Sequence, residues 1–488
     1  MILQRNKLTY TMLKALIVIF IILPKLATAQ VNVQENNSYS QFGAGRLVPF
    51  GTVRNLGMGE TGLAMPSSQY LNFKNPALLS RTPFIQYKVQ KGETVSTIAK
   101  TFTVSEEEIR AFNKLPNEVK EGQIIKIPVR KYVMWEVAAR GGYASFETPD
   151  EKFDNTIIGF QYFTLAIPVS QRYTAAVGLI PYSTVGFSSS YIDTLATGEN
   201  VQHVNKHDGG LNQFFLSNGF DVNRNFSFGL QAGFLFGHID ESNSLSVEDV
   251  DGVFADKIVR KTANSLTALL LKPGIFYKAK INRAKGDSAV YLNIGVTADY
   301  ITNGYLRQKT DDQTLAIYNA IMSDTSIHEN KGSLNFPFSY SVGISISATN
   351  NFNIGVDFAY TPWNRFSAFT GTTDYTESYK ISLGGEYKAK GRNSSLKTST
   401  FRGGIAFQQL PYKVEGKTVN DYSLSLGTSL PVGRINMVDK NQPLTKVNLA
   451  LVGGMQGDKT LSTGQGIYFK LYAGILISDR WFKRRKID

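Results

Sequence analysis

The stretch from Tyr132 to Ile477 alternates between apolar side chains and small or polar ones over long runs of chain. Between Phe226 and Phe236, for example, every second residue is Phe, Leu or Ala, and most of the residues between them are Ser, Gly or Gln. Successive side chains of a β-strand point to opposite faces, so this pattern predicts strands with one apolar and one small, polar face. Alternation at this length restricts the region to β-sheet architectures.

Three observations favour a membrane barrel over a soluble sandwich, which would also alternate. The runs approach the 9–11 residues that a tilted spanning strand needs. The second face is small and polar, as in a barrel lumen, and the connections alternate between short turns and long polar segments. Backbone groups in lipid must all be paired, which favours a closed barrel. We expect short turns near 170–171, 223–225, 350–351 and 391–393, and long polar loops at 192–207, 243–261 and 308–332.

The runs predict about fourteen antiparallel strands, within a barrel domain spanning 132–478. An even number returns both ends of the barrel to the same side of the membrane, the periplasm. The expected strand cores are 132–146, 157–168, 173–190, 209–221, 226–240, 264–279, 288–305, 333–348, 352–366, 373–389, 399–409, 420–432, 445–455 and 465–478.

The N-terminal segment, residues 1–29, has the features of a secretory signal peptide. A basic start precedes the apolar run Ala15 to Leu23, and a small-x-small site allows cleavage after Ala29. A membrane anchor is the alternative interpretation, because Lys25 is unusual in a signal peptide. Residues 30–82 are rich in glycine and predict an irregular segment. The chain has no cysteine, which excludes disulfides, thiolate metal ligands and lipidation at a cysteine.

Residues 87–128 have a different pattern, a compact βααβ order between the irregular segment and the first barrel strand. Four residues at helical spacing, from Val95 to Phe102, give the first helix an apolar face. Ser105 and Glu108 form a capping box at the start of the second helix. The Gly-Glu-Thr turn and the closing Gly-Gln-x-Ile-x-Ile-Pro resemble the LysM domain, a small module that binds glycans containing N-acetylglucosamine.

The LysM resemblance implies a shallow glycan groove between two loops. Groove backbone amides would bond the acetamido and hydroxyl groups of the sugar. For single residues a structural role is an open alternative, since Thr94 can cap the first helix and Leu115 can belong to the core. The groove residues implied by the resemblance are Gly92, Glu93, Thr94 and Val95 on one side, and Asn113, Lys114, Leu115 and Pro116 on the other.

A second resemblance covers residues 30–82 and 132–488. The glycine-rich run Gly57 to Ala64, followed by Asn75-Pro76-Ala77, resembles the N-terminal hatch of FadL-type outer-membrane transport proteins. The end of the chain, Asp479 to Lys483, is similar to FadL-like barrels of Bacteroidota. The family implies fourteen strands around a plug. It also implies a lateral opening at a kink in the third strand, which here carries Pro181, Tyr182 and Ser183.

The two resemblances agree in topology. The LysM-like segment lies between hatch and first strand, which places it on the periplasmic side of an outer-membrane barrel. Peptidoglycan, which is rich in N-acetylglucosamine, lies on that side. We therefore predict a cell outer-membrane location with the glycan-binding module in the periplasm.

Charge and motifs argue against other classes. The net charge is +13, and about +9 without the signal segment. The basic tail at 479–488 is expected to meet lipid phosphates, peptidoglycan carboxylates or a partner, with a merely solvated tail as the alternative. Outer-membrane lipid, including lipopolysaccharide, is expected around the barrel. Nothing resembles a nucleic-acid module. His203 and His207 have metal-ligand spacing but lack a third ligand nearby, and no catalytic or phosphate-binding motif is present. We expect neither an enzyme nor a cofactor or metal.

Three functions stay open from sequence, of which an enzyme is the least favoured. The favoured one is a non-enzymatic barrel that grips peptidoglycan and anchors the outer membrane, or an outer-membrane complex of secretion or barrel-assembly type, to the wall. The alternative is a FadL-like transporter of hydrophobic compounds. The Ser- and Gly-rich second faces disfavour the transporter, because a lipid channel needs an apolar lumen.

Overall fold

The computed structural model describes residues 37–67, 69–80, 84–102, 104, 106–113, 115, 118–128, 132–149, 151–170, 172–196, 198–248, 254–282, 289–316, 320–348, 352–367, 375–389, 399–432 and 445–479. The predicted signal peptide and all but the first residue of the predicted basic tail lie outside these residues. No helix in the described part of the chain is long and apolar enough to cross a bilayer.

The described strands and helices follow one another in a simple order. The strands are β1 (Arg46–Leu47), β2 (Phe84–Lys88), β3 (Ile124–Pro128), β4 (Val133–Glu147), β5 (Lys152–Pro168), β6 (Tyr173–Pro181), β7 (Ser183–Thr194), β8 (Asn200–Asp221), β9 (Phe226–Glu248), β10 (Phe254–Lys280), β11 (Val290–Ile301), β12 (Gly304–Ala316), β13 (Ala320–Leu334), β14 (Ser339–Ala348), β15 (Phe352–Thr361), β16 (Ser378–Lys388), β17 (Thr400–Val414), β18 (Lys417–Val432), β19 (Thr445–Gly457) and β20 (Gln465–Asp479). The helices are α1 (Val53–Leu56), α2 (Val95–Phe102) and α3 (Glu106–Asn113), and 3-10 turns occupy Ser38–Gln41, Pro76–Leu78 and Trp363–Arg365.

Strands β4 to β20 form a closed antiparallel barrel of fourteen spans. The last strand pairs with the first along its whole length, from Gln465 opposite Glu147 to Asp479 opposite Val133. Three spans are interrupted and consist of two strands each: β6 with β7, β11 with β12, and β13 with β14. The predicted fold class is therefore confirmed, with fourteen spans at the positions that the alternation indicates.

The outward face of the barrel is apolar and exposed. Leu424 and Leu426 are each 59% exposed, and Phe469 is 56% exposed. The same alternation exposes Phe228, Leu230 and Phe234 on β9. An apolar belt of this kind is the surface that outer-membrane barrels present to lipid. The barrel is of the outer-membrane type.

The prediction of long polar loops on one side of the barrel is wrong in part. Much of 192–207, 243–261 and 308–332 continues the barrel strands as paired β-hairpins, including the stretch that carries His203 and His207. Arg260 and Asp312, on the paired strands β10 and β12, form an ion pair with an Nε–Oδ1 distance of 2.7 Å. Strands outside lipid can be polar on both faces, so their sequence resembles that of a loop. The tip of one hairpin, residues 249–253, lies outside the described residues.

The N-terminal segment from residue 37 to residue 80 lies inside the barrel and fills it. Phe73 of this segment packs with Tyr162 and Phe215 of the wall, and all three are buried. The glycines on the inner wall allow the segment to lie directly against the strands. A Cβ atom at Gly404 would lie 2.2 Å from the carbonyl carbon of Met58, and one at Gly229 would lie 2.3 Å from that of Pro76. The small inner face is thus fitted to a plug.

Residues 84–128 form a separate small domain. β2 and β3 pair antiparallel, and the two helices pack against them around one apolar cluster. Val95, Ile98 and Ile109 are completely buried in that cluster, and Phe102 is 1% exposed. The βααβ order is as the sequence predicts. Ser105 and the side chain of Glu108, the predicted capping box, lie outside the described residues.

Candidate glycan groove, hatch and strand break

The first predicted wall of the groove is a tight turn before α2. Gly92 has a φ of +80° and open space around it, which suits a turn that leaves the backbone exposed. The Glu93 carboxylate accepts hydrogen bonds from the Tyr87 hydroxyl, at 2.6 and 2.8 Å, and from the backbone N–H of Gln90, at 2.8 Å. Burial, together with this carboxylate, raises the pKa of Tyr87 to about 12. Glu93 therefore fixes the shape of the turn.

Thr94 and Val95 have structural roles in this wall. The Thr94 hydroxyl accepts a hydrogen bond from the backbone N–H of Thr97, and the Thr97 hydroxyl accepts one from the N–H of Thr94. This reciprocal pair caps α2. Val95 points into the core. The backbone N–H of Glu93 donates to the carbonyl oxygen of Gln90 at 3.2 Å, so within this wall the backbone of Gly92 and the exposed edge of Thr94 remain for a ligand.

The second predicted wall follows α3. Asn113 donates a hydrogen bond from its side-chain amide to the carbonyl oxygen of Ile109, and the backbone N–H of Leu115 donates to the carbonyl oxygen of Arg110. Leu115 packs against the same apolar cluster that contains Val95, so both walls border one core. Lys114 and Pro116 lie outside the described residues.

The hatch motif Asn75-Pro76-Ala77 forms a buried turn against the wall. The Asn75 side chain accepts a hydrogen bond from the N–H of Ala77, at 3.0 Å. Its amide donates to the carbonyl oxygen of Leu63 in the hatch, at 3.0 Å, and to that of Ile275 in the wall, at 3.1 Å. A single side chain thus joins the turn, the rest of the hatch and strand β10.

Charged wall residues hold the remainder of the hatch. The Asp357 carboxylate accepts hydrogen bonds from the backbone N–H groups of Gly62, at 2.7 Å, and Leu63, at 3.0 Å, and pairs with Lys74 at 3.3 Å. Arg54, fully buried, forms a bidentate pair with Glu386 at 2.5 and 3.0 Å. Buried charges are tolerated when they are paired and hydrogen-bonded in this way.

The third span breaks next to Pro181. Pairing with β5 ends at Leu179 opposite Phe163, and Tyr182 separates β6 from β7. Beyond the break, β7 pairs with β8 on one side and with the short hatch strand β1 on the other. Ser183, opposite Leu47, is 2% exposed. The backbone carbonyl oxygen of Tyr182 accepts a hydrogen bond from the N–H of Val48.

The N-terminal hatch segment continues along β7 beyond β1. Asn37 donates its backbone N–H to the carbonyl oxygen of Gly186, at 2.8 Å, and Ser40 exchanges hydrogen bonds with the same residue. Tyr39 is fully buried and donates its hydroxyl hydrogen to the carbonyl oxygen of Gly464, at 2.5 Å. The break in the third span is therefore lined by the protein's own hatch.

The interior next to this segment is polar. A cavity of about 60 Å³ lies between the hatch and the wall, beside Arg46, Glu60, Lys380 and Asp421. Lys380 forms an ion pair with Glu60, and Arg46 pairs with Asp421 at 3.7 Å. Within the described residues, no group of three or more metal-ligating side chains is suited to hold an ion.

The chain leaves the hatch and enters the first span at the same end of the barrel. Ser80 donates a hydrogen bond to Asp221, at 3.0 Å, directly before the turn between β8 and β9. Val133 begins β4 opposite Asp479, the last residue of β20. The small domain at 84–128 is therefore connected to the end of the barrel opposite the extended hairpins of 192–207, 243–261 and 308–332.

The sequence analysis does not identify the wall residues that hold the hatch. Asp357, Glu386 and Arg402 lie on separate strands, and each occupies a position on the small, polar face. One sequence signal could identify them: a charged residue on a strand face that otherwise consists of Ser and Gly. Such a residue lies inside the barrel, and a buried charge needs a partner.

Two family models match parts of the chain. Residues 87–128 match the family model for the LysM domain. No curated protein sequence matches the chain.

Several solved structures are similar to the chain at low identity. They include the CymD monoaromatic hydrocarbon channel, with 14% identity, a TM-score of 0.49, and coverage of 91% of this chain and 99% of that one. The Ralstonia pickettii toluene transporter TbuX has 12% identity, a TM-score of 0.48, and coverage of 88% and 98%. A Pseudomonas aeruginosa FadL homologue has 11% identity, a TM-score of 0.48, and coverage of 89% and 99%.

The barrel itself matches a family model. The family model named BamG covers residues 122–488, which is about three quarters of the chain and includes all fourteen spans. The protein is an outer-membrane barrel with a LysM domain, and it belongs to the BamG family.

Proposed function

We propose that this protein binds peptidoglycan through its LysM domain and anchors the outer membrane, or an outer-membrane protein complex of secretion or barrel-assembly type, to the cell wall. The observation that carries the proposal is the attachment of the LysM domain, through Ser80 and Val133, to the end of the barrel opposite the extended polar hairpins. In outer-membrane barrels the longer extensions lie on the outer side, and the opposite end faces the periplasm. The domain would then face the wall.

The filled interior favours an anchor over a transporter. Two wall carboxylates, Asp357 and Glu386, bind the hatch directly, and the hatch segment from Asn37 to Val48 pairs along the edge of β7 at the strand break. Moving the hatch would break these bonds and expose buried charges, which is costly. A transporter of hydrophobic compounds is the second candidate, supported by the broken third span.

A rigid, plugged barrel also offers an exposed surface to other membrane components. The apolar belt suits lipid and neighbouring outer-membrane proteins, and we propose the latter as partners, with lipopolysaccharide around the outer rim. We propose that the protein has no enzymatic activity, since the charged side chains described above hold the hatch in place.

Retention on insoluble peptidoglycan tests the wall-binding role. The full-length protein in detergent should sediment with purified sacculi, and Gly92→Arg should reduce retention at least tenfold, because the added side chain projects into open space over the turn. Gly416→Arg is the matched control: this glycine also has positive φ, +75°, and open space, but lies in the β17–β18 turn. Equal retention of both variants would contradict glycan binding at this wall.

Single cysteines test the orientation in this cysteine-free chain. The Ala196→Cys variant, altered in the β7–β8 hairpin, should react with an impermeant maleimide on intact cells. The Lys120→Cys variant, altered at an exposed position of the LysM domain, should react after the outer membrane is permeabilised. Labelling of the Lys120→Cys variant on intact cells would place the domain outside and remove the wall-binding argument.

A further inference from the structure

We propose that the mouth of the barrel at the end where the LysM domain is attached contains a binding site for an oxyanion, a carboxylate or phosphate group, formed by Lys388, Lys446 and Tyr70. The site is separate from the LysM groove. A negative result at this site would therefore leave the glycan-binding proposal unaffected.

The first observation is an excess of buried positive charge around Tyr70. The Nζ atom of Lys446 lies 4.0 Å from the centre of the Tyr70 ring, and the guanidinium carbons of Arg402 and Arg54 lie 4.6 and 5.7 Å from it. These three basic residues are at most 6% exposed. Burial of that many cations needs compensating negative charge.

The carboxylates nearby do not balance these cations. Glu386 pairs with both arginines. Glu136 accepts a hydrogen bond from the Asn448 amide, at 2.6 Å. Within the described residues, no carboxylate lies within 4.0 Å of the ammonium groups of Lys388 or Lys446.

The second observation is a neutral acceptor in the position that an anion would take. The Gln69 side-chain oxygen accepts hydrogen bonds from Lys446 Nζ, at 3.0 Å, and from Lys388 Nζ, at 3.5 Å. Gln69 is exposed, so its side chain can move aside. A carboxylate or phosphate oxygen there would bring a full negative charge beside the two ammonium groups, where the amide oxygen brings only a partial one.

Two further polar groups support the site. One terminal nitrogen of Arg402 is buried without a hydrogen-bond partner. The Tyr70 hydroxyl donates to Thr400 at 3.1 Å. Burial disfavours the phenolate of Tyr70, but Lys446 and Arg402 outweigh this and lower its pKa to about 7. The basic residues around Tyr70 thus stabilise negative charge on its phenolic oxygen.

The location limits the source of the ligand. Lys388 ends β16, and Lys446 is the second residue of β19, so both lie at the end of the barrel to which the LysM domain is attached. If that end faces the periplasm, an oxyanion could come from a lipid phosphate or from a peptidoglycan stem-peptide carboxylate. Both present the same chemistry to two ammonium groups.

Calorimetry with inorganic phosphate tests the site in the full-length protein, held in a neutral detergent at constant ionic strength. Phosphate should bind saturably, and the double variant Lys388→Gln/Lys446→Gln should weaken binding at least tenfold. Lys459→Gln is the control, because Lys459 is 57% exposed at the opposite end of the barrel, where it pairs with Glu147. Absent binding, or equal binding by the double variant, would overturn the site.

A spectroscopic measurement covers the case in which the double variant does not fold. The wild-type protein should show a phenolate absorbance that titrates near pH 7 and is missing in Tyr70→Phe, and phosphate should move this titration to higher pH. No shift with phosphate would overturn the site. In competition, a short-chain phosphatidate or a soluble muropeptide should displace phosphate, and the one that does so identifies the source. Displacement by neither would overturn a cellular ligand at this mouth.

Discussion

The LysM domain and the hatch are both small, compact units, but they are stabilised in opposite ways. The LysM core consists of residues within one continuous stretch, from Val89 to Ile127, that bury their side chains against each other. The hatch packs and bonds to residues far away in the chain: Asn75 bonds to Ile275, and the backbone N–H of Gly59 donates to Ser425. The LysM domain has its own hydrophobic core, whereas the hatch is stabilised by contacts with the barrel wall.

This difference predicts which changes stay local. A substitution in the LysM core should affect that domain alone. A substitution at a wall position that touches the hatch should affect both hatch and barrel, because the two bury a common surface.

The largest effect is expected for Gly404→Val on β17. The added side chain would collide with the backbone of Met58, 2.2 Å from its carbonyl carbon, and overpacking a buried site costs about 1–3 kcal/mol or more. We expect the hatch to be displaced and ion conductance of the barrel to rise, measured in planar bilayers. Gly403→Val, on the adjacent residue, is the control, because a Cβ there meets nothing closer than 3.8 Å. Equal conductance in both would mean that the hatch does not depend on this contact.

A smaller effect is expected for Asp357→Ala, which removes the acceptor of two hatch N–H groups and the partner of Lys74. Breaking a buried ion pair costs about 3–5 kcal/mol. Because the other hatch contacts remain, we expect a loosened hatch, seen as faster hydrogen exchange at Gly62 and Leu63 while the barrel resists unfolding in unheated SDS. Glu147→Ala removes the partner of exposed Lys459 and should leave hatch exchange unchanged. Unchanged exchange in Asp357→Ala would contradict the role of this carboxylate.

The most confined effect is expected for Ile98→Ala in α2. Ile98 is fully buried, and truncating such a side chain costs about 2–5 kcal/mol. We expect retention on peptidoglycan to fall while conductance and SDS resistance of the barrel stay at wild-type level. Thr101→Ala, an exposed position on the same helix, should leave both properties unchanged. Loss of barrel stability in Ile98→Ala would show that the two units are coupled after all.

The sequence predicts the elements of the fold well, because both of its periodicities are local. Apolar residues at every second position place Phe226 to Phe236 on a strand, and those at helical spacing place Val95 to Phe102 on a helix. The prediction fails where a polar strand leaves the bilayer, as near Arg260 and Asp312, because such a strand has no apolar face to give it a pattern.

The candidate site is less predictable. The LysM resemblance implies that Gly92 to Val95 form one wall of a glycan groove, but it does not separate ligand contacts from structural ones. The structure shows that Thr94 caps the helix and that Val95 lies in the core, as the alternative structural interpretation allows for Thr94.

By itself, the sequence determines a fourteen-span barrel, a LysM domain and the position of that domain between plug and first strand. The barrel follows from alternation, the βααβ unit from helical spacing, its LysM identity from a resemblance carried by short motifs, and its position from chain order; all of these are local properties of the sequence. Tertiary structure alone decides that the barrel is filled, that the break beside Pro181 is lined by the segment from Asn37 to Val48, and that basic residues from the hatch and three strands surround Tyr70. Those features depend on contacts between residues hundreds of positions apart. No local pattern encodes which residue pairs with a buried charge, or which segment packs against the glycines of the inner wall.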